Sequence, residues 1–332
     1  MTIYEVAQRV GVSIATVSRA LRSGGQVAGE TRRRVLEVVE ELQFRPSRLG
    51  QSLAEGRHAA NGIVFPDLSG PYYAEVILGY EEVAAEVGSS VLILATHGRT
   101  DPGRKVLDLA RRVDGMAIMG RTVSDGVVAQ VAATGMPTVL LARLPVGELD
   151  TVTTDSEASA RELVAHLVAH GYRRFAYLGD PDESSDVTAR YDAFRSALVD
   201  RGIRPPRAPL RCAFDVPAGQ EAARRALAGS PPPQALVCAN DEVALGALAA
   251  AKQLGRSVPD DVAIVGWDDV MAARYAGLTT VRQPMRELGA TAARWLQDRV
   301  ASSRLPVRRE VLRTQLVIRT SCGQHPNEME VP

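Results

Sequence analysis

Ile3, Val6, Ala7 and Val10 recur at helical spacing behind Thr2, a residue suited to cap a helix N-terminus. Gly11 follows and fits a turn that needs positive φ. Ser13 can cap a second helix, Ile14–Leu21. On it Val17, Ala20 and Leu21 face inward; Ala15, Thr16 and Arg19 face out, with Ser18 near that edge. A third helix is expected over Gly29–Leu42, with Val35, Leu36, Val38, Val39 and Leu42 on its buried side. Two short helices joined by a glycine turn form a helix-turn-helix pattern. From Asn61 the pattern changes to apolar runs that read as strands. A first set is Gly62–Phe65, Val91–Ala95, Gly115–Met119, Thr138–Ala142 and Thr151–Thr153; a second is Phe175–Leu178, Leu210–Phe214, Leu236–Ala239, Ala263–Gly266 and Thr280–Gln283. Amphipathic stretches such as Tyr72–Val87, Ala158–His170, Asp192–Arg201, Gly219–Ala228, Glu242–Leu254 and Glu287–Val300 alternate with them.

Alternating strands and helices predict doubly wound parallel sheets, and two sets of strands predict two such sheets side by side. The fold class is therefore α/β with an all-α head. The expected division is a helix-turn-helix head over 1–46, a linker over 47–58, a two-lobed domain over 59–320 and a polar tail over 321–332. One lobe comprises about 59–157 and 286–315, the other about 158–285. In this architecture a ligand sits at the carboxyl ends of the strands, here in the cleft between lobes.

Composition sharpens this picture in three places. Net charge is zero over 332 residues, which excludes a uniformly basic nucleic-acid binder. Residues 1–58 nevertheless carry nine Arg against six Glu, so the head is at +3 and the remainder at −3, the sign that phosphate binding needs. The three cysteines are scattered, with no CxxC, so neither a disulfide framework nor a zinc site is implied. The first residues show no basic segment leading into an apolar run, and the longest apolar stretch is about nine residues, Val243–Ala251. A bilayer span needs ~20, so a cytoplasmic protein without membrane contact is expected.

The second helix of a helix-turn-helix pair lies in the major groove. There Arg19 can make two hydrogen bonds to a guanine, Ile14 or Ala15 can touch a thymine methyl, and Thr16 and Ser18 can reach phosphates. A three-helix protein-interaction module is the alternative. The strings IYEVAQRVGVSIATVSRAL and ETRRRVLEVVEELQFRPSRLGQSL resemble the head of the LacI/GalR (lactose-repressor) family of transcriptional regulators. The resemblance implies that Ile14, Ala15 and Arg19 read bases, and that Thr16 and Ser18, with Ser13 at the helix start, position the helix. Arg22 stands where the family often has Asn and is expected to contact phosphate. Over Pro46–Gly56 the resemblance implies a hinge helix that forms on an operator, with Leu53 wedged into a central minor-groove step. Gly50 replaces the Ala usual there, which costs a helix ~1 kcal/mol and makes that hinge more dependent on DNA and dimer contacts.

The remainder is similar to the periplasmic sugar-binding-protein fold that serves this family as its sensor, through PDLSGPYYAEVILGYEEVAAE, DSEASARELVAHLVAHGYRRFAYLG, ARYDAFRSALVDRGI, CANDEVALGALAAAKQLGRSVPDDVAIVGWDD and LTTVRQP. The implied effector contacts are Tyr72 and Tyr73, whose alternative is interior packing, Arg190, whose alternative is a surface ion pair, and Asp241, whose alternative is a helix cap. Asp268, Gln283, Phe214 and Arg143 complete the set. Arg143 occupies a position that varies with ligand type and points to an anionic or strongly polar effector. An Asp–Arg–Gln–aromatic set suits a polyhydroxyl ligand, a sugar or sugar derivative, with nucleobases and nucleosides left open. The implied partners are two-fold-symmetric operator DNA, a small-molecule effector and a second copy of the chain, meeting through the first lobe and the helix that begins near Tyr72.

Three function classes compete: an allosteric DNA-binding repressor, a solute-binding protein and an enzyme on a doubly wound scaffold. The head argues against the second. Against the third, there is no GxSxG elbow, P-loop or GxGxxG, and no cofactor is implied. His166 and His170 have an i, i+4 spacing, but the intervening Leu-Val-Ala offers no HExxH glutamate, so an exposed helix end is expected rather than a zinc site. Adjacent acids in Asp260–Asp261 and Asp268–Asp269 point to opposite faces of a strand and form no dyad. No Leu heptad marks a tetramerising coiled coil at the C-terminus.

Overall fold

The computed structural model describes residues 2–21, 27–44, 58–302 and 304–323. Arg22, Gly50, Leu53, the expected hinge over Pro46–Gly56 and the end of the expected tail lie outside them. The chain forms two compact units, Met1–Ala59 and Ala60–Pro332.

The first unit contains α1 (Ile3–Val10), α2 (Ile14–Leu21) and α3 (Gly29–Glu41). Gly11 takes the left-handed conformation at φ 74 and donates to the Ala7 carbonyl, which ends α1 and turns the chain. Val6, Val10, Val17, Ala20, Val35 and Phe44 close a small core. Leu36 differs from expectation and is 45% exposed. The inward stripe runs through Val35, Val38, Val39 and Leu42, and Leu36 lies one residue, about 100° of helix rotation, beyond it.

The second unit is built on two sheets. One has the order β10-β5-β4-β3-β1-β2, formed by β1 (Ala60–Phe65), β2 (Ser90–Ala95), β3 (Gly115–Met119), β4 (Thr138–Leu141), β5 (Asp150–Thr154) and β10 (Arg309–Leu312), all parallel. Alternation along β1 fills both faces. Ile63 and Phe65 meet α4 (Pro71–Glu86) and the long helix Met285–Ala301 on one side. Val64 meets α5 (Pro102–Ala110) and α6 (Asp125–Ala133) on the other. Burial on both faces explains why these strands read as continuous apolar runs. The strand β10 carries exposed Arg309 and Glu310 and joins at the sheet edge, which is why no apolar run announced it.

The other sheet orders β6 (Phe175–Leu178), β7 (Ala235–Cys238) and β8 (Ala263–Val265) in parallel, between α7 (Ser156–Ala169) and α8 (Ser185–Val199) on one face and α9 (Val216–Leu227) and α10 (Asp241–Gln253) on the other. After α11 (Met271–Tyr275), β9 (Thr280–Arg282) continues the sheet through a parallel bridge from Val265 to Thr279; α12 (Met285–Ala301) follows it, and β11 (Gln315–Val317) pairs antiparallel with β9. The expected strand Leu210–Phe214 reduces to one bridge, Leu210 to Leu178. Beyond it Arg211 pairs with Asp180 and Asp182, and Phe214 turns inward, so the chain leaves the ladder.

The expected polar tail begins too early at 321. Ser321 and Cys322 are buried in a short 3-10 turn, Thr320–Cys322; Ser321 Oγ donates to the Ile264 carbonyl (2.6 Å) and accepts from Thr279 N (2.8 Å). His166 Nε2 lies 3.2 Å from Cys322 Sγ, and the His166 and His170 rings pack edge-on at 4.8 Å, so this helix end is half-buried rather than exposed. Among the described residues no group of three or more His, Cys, Asp or Glu is placed to hold a metal, and no helix is long and apolar enough to cross a membrane.

Candidate functional site

Two surfaces carry the expected chemistry. In the first unit Ser13 caps α2: its Oγ accepts from Thr16 N (3.1 Å) and pairs with Thr16 Oγ1 (2.9 Å). With Val17 and Ala20 pinned in the core, the opposite face presents Ser13, Ile14, Ala15 and Arg19 to solvent, with Thr16 and Ser18 half-buried at its margins. Arg19 Nε donates to the Ala15 carbonyl (3.2 Å) on the same face. Arg34 and Arg32 serve the scaffold instead, donating to the carbonyls of Val10 (2.8 Å) and Ala20 (3.3 Å) and so tying α3 to the ends of α1 and α2.

In the second unit a cavity of about 380 Å³ lies between the two sheets at the carboxyl ends of their strands. Of the eight expected effector residues, six line it: Tyr72, Tyr73, Arg190, Phe214, Asp268 and Gln283. Burial pushes the Tyr72 phenol well above its usual value and that of Tyr73 up to about 12, so both stay neutral donors. Tyr73 packs edge-on to Phe65 and Tyr72. Arg190 is only 6% exposed. Its Nη1 donates to the Ala239 carbonyl (2.5 Å), its guanidinium lies 4.1 Å from the Trp267 ring centre, and its Nε has no partner among the described residues. Gln283 Nε2 donates to Asp268 (2.6 Å), and burial raises that carboxyl to about 6 against the pull of Arg190 and Gln283.

Two expected residues are not part of this lining. Arg143 lies outside the lining, with Nη2 held by the Asp125 carboxylate and the Val123 carbonyl (3.4 Å) and Nη1 buried without a partner among the described residues. Asp241 is fully buried; it accepts from Thr280 Oγ1 (2.6 Å) and Val270 N (2.9 Å) and joins α10 to the segments around it. It is not the helix cap either. Asn240 caps α10 by accepting from Val243 N (3.0 Å), and Asn240 also lines the cavity. Sequence reasoning missed it by one residue, since both Asn and Asp are favoured caps.

It also missed much of the lining's charge. Asp67, Glu183, Asp186, Asp215 and Glu242 join Asp268 there, against Arg121 and Arg190. Arg121 pairs with Glu183 (2.7 Å) and its guanidinium lies 4.8 Å from the Phe214 ring centre.

The comparisons with known proteins follow this division. Residues 2–47 match the model described as bacterial regulatory proteins, lacI family, and residues 164–322 the periplasmic binding protein-like domain. The HTH-type transcriptional repressor CytR of Escherichia coli is 31% identical over 98% of this chain and 97% of its own. The chain belongs to the lacI family. The ribose operon repressor of Halalkalibacterium halodurans is 30% identical over 96% of each chain. Among solved structures, the lac repressor dimer bound to operator and the anti-inducer ONPF aligns with a TM-score of 0.87 at 28% identity, over 98% of this chain and 99% of that one. The protein is thus a lacI-family DNA-binding transcriptional regulator with a ligand-binding sensor unit, and its family consists of regulators rather than enzymes.

Proposed function

We propose that this regulator is a repressor of the cytoplasm that binds a two-fold-symmetric operator as a homodimer, and that a polyhydroxyl effector, a sugar or sugar derivative, sets its operator affinity. One observation carries the reading: a single chain pairs an exposed, cap-ordered α2 face with a polar cavity lined by Arg190, Asp268, Gln283 and two tyrosines. On that face Ile14, Ala15 and Arg19 are the base-reading residues, Arg19 through two bonds to a guanine, and Ser13, Thr16 and Ser18 place the helix. In the cavity, Asp268 and Gln283 supply paired acceptors and donors for hydroxyls, Arg190 a fixed donor, and Tyr72, Tyr73 and Phe214 apolar edges. Effector and operator then influence each other reciprocally.

The test is selection from random duplexes by the full-length protein, followed by binding with and without sugars. A palindromic site is expected, with Arg19→Ala weakening binding by about 1–3 kcal/mol and relaxing one base position. Deleting residues 1–59 should abolish operator binding and leave effector binding intact. A selection that enriches no site at low salt, with or without pooled sugars and nucleosides, would sink the operator reading. Thermal stabilisation by purines alone would overturn the polyhydroxyl effector.

A further inference from the structure

The six carboxyl groups around the cavity are not equivalent. Asp67 accepts from the backbone N–H of Leu68 (2.6 Å) and Ser69 (3.0 Å); burial alone would raise it, but these bonds outweigh burial and hold it low. Glu183 is paired with Arg121 (2.7 Å). Asp215 caps α9 by accepting from Ala218 N (2.8 Å). Asp268 gives one oxygen to Gln283. Asp186 and Glu242 accept no hydrogen bond among the described residues, although neither is exposed. Burial raises both, Glu242 to about 7, with Asp268, Asp215 and Asp67 adding to the repulsion and no cation offsetting it there. Arg190 offsets Asp186 in part. Glu242, on α10, also reaches over to the opposite side of the cleft: a Cβ built at Gly70, the N-cap of α4, would lie 2.9 Å from its Oε2. On α8, one turn after Asp186, the almost wholly buried Arg190 keeps Nε without a partner among the described residues.

Glu242, which lines the cavity among five other carboxyls and accepts no hydrogen bond among the described residues, calls for a ligand that brings a cation. Resting on the effector role given above, we propose that the effector is an amine-bearing polyhydroxyl compound, such as an amino sugar, whose ammonium group pairs with Glu242. An ammonium relieves like-charge repulsion in a site of restricted solvent, where ion pairing is stronger than in bulk water. An anion would add to an excess of six carboxyls over two guanidiniums. A neutral sugar would leave Glu242 desolvated without a counter-charge.

The full-length protein is titrated calorimetrically at neutral pH with glucosamine and galactosamine, their parent hexoses, N-acetylglucosamine, glucuronate and glucose 6-phosphate. The expected result is binding of one or both amines at least about tenfold tighter than their parent and N-acetyl forms (roughly 1.4 kcal/mol). Glu242→Gln should erase that preference without lowering the melting temperature of the ligand-free protein, because it removes a penalised charge. Equal or tighter binding of neutral hexoses, or a preference that survives Glu242→Gln, overturns the amine assignment and leaves the polyhydroxyl effector standing. Binding of the anionic sugars alone overturns it as well. If no sugar of the set binds at millimolar concentration, both the amine and the polyhydroxyl assignments fall, while operator selection still reports independently on the regulator.

Discussion

Asp241 and Asn240 show how one position along the chain separates architecture from ligand chemistry. Both stand at the start of α10, yet Asn240 caps the helix and faces the cavity, whereas Asp241 turns into the protein to bind Thr280 and the backbone of Val270. A buried carboxyl group whose oxygens satisfy two donors cannot be truncated cheaply, because both donors are left unpaired away from water. Asp241→Ala is expected to destabilise the sensor unit by about 2–4 kcal/mol, seen as a lower urea midpoint, through lost structure and not lost contact with effector. Should Asp241→Ala keep full stability and lose only effector affinity, Asp241 would have to be returned to the binding set. Arg143 stands outside the lining for a related reason: a charged side chain marks polarity, but Asp125, eighteen positions earlier in sequence, already engages Nη2 of this one, while Nη1 has no partner among the described residues. Sequence reasoning sees residue types at motif positions; it does not see which of their partners come from distant loops.

At the scale of elements, each lobe is closed by one helix pair that crosses at glycines. A Cβ on Gly79 of α4 would lie 2.0 Å from the Arg286 carbonyl oxygen of α12, and one on Gly289 of α12 would lie 2.0 Å from that of Val76. The other lobe repeats the device between α9 and α10, where Gly219 would meet the Val243 oxygen at 2.5 Å and Gly246 the Val216 oxygen at 2.2 Å. Replacing a mid-helix glycine by alanine ordinarily stabilises a helix by about 1 kcal/mol. Here the backbone contact reverses the sign, and Gly79→Ala or Gly246→Ala should lower stability by about 1–3 kcal/mol in denaturant unfolding, as overpacked cores do. A neutral or stabilising alanine would mean that the helices separate without cost. The helices themselves were legible because their apolar faces repeat at helical spacing, and the buried parallel strands because both faces are apolar: β3 and β6 have the bounds read from the pattern. What escaped reading was what the pattern does not encode. The strand β10 has a mostly exposed, charged surface, the Leu210 segment is apolar but diverted by Arg211 and Phe214, and Ser321–Cys322 looks like a tail until Ile264 and Thr279 are seen to hold it. Most of the cavity's acids were missed likewise, since Asp186 and Glu242 sit on helices whose relative placement only the fold supplies.

For the sensor unit as a whole, the raised carboxyls make stability depend on pH. Burial lifts Asp268 to about 6, Glu242 to about 7 and Asp241 to about 8, from 3.8, 4.5 and 3.8. Between the ordinary and raised values the folded state keeps protons that the unfolded state has shed, so unfolding free energy falls as pH rises. The stability present at pH near 4 is lost progressively up to about pH 8. The urea midpoint should therefore drop from pH 5 to pH 8.5, and Glu242→Gln should flatten that slope; a midpoint that rises across this range refutes the protonation scheme. The chain crosses between the two sheets at three places, after β5, after β9 and after β10. Thr154, at the end of β5, donates to Gln283 Oε1 (2.8 Å), and Gln283 Nε2 donates to Asp268 in the cavity. Thr314 fastens the third crossing to the first by donating to the Asp155 carbonyl (2.6 Å). A ligand that engages Asp268 thus bears on a hydrogen-bonded pair of crossings, where a small rotation moves one lobe against the other. Thr154 is not in the cavity lining, so Thr154→Val, which removes the bond while keeping the side chain's size, separates the two roles. Effector affinity should change little, while the effector-dependent shift in operator affinity, typically worth about 1–3 kcal/mol in allosteric proteins, should shrink. The measurement is a four-state cycle of operator binding with and without effector for both proteins. An undiminished coupling energy in Thr154→Val would show that the signal leaves the cavity without passing through Gln283.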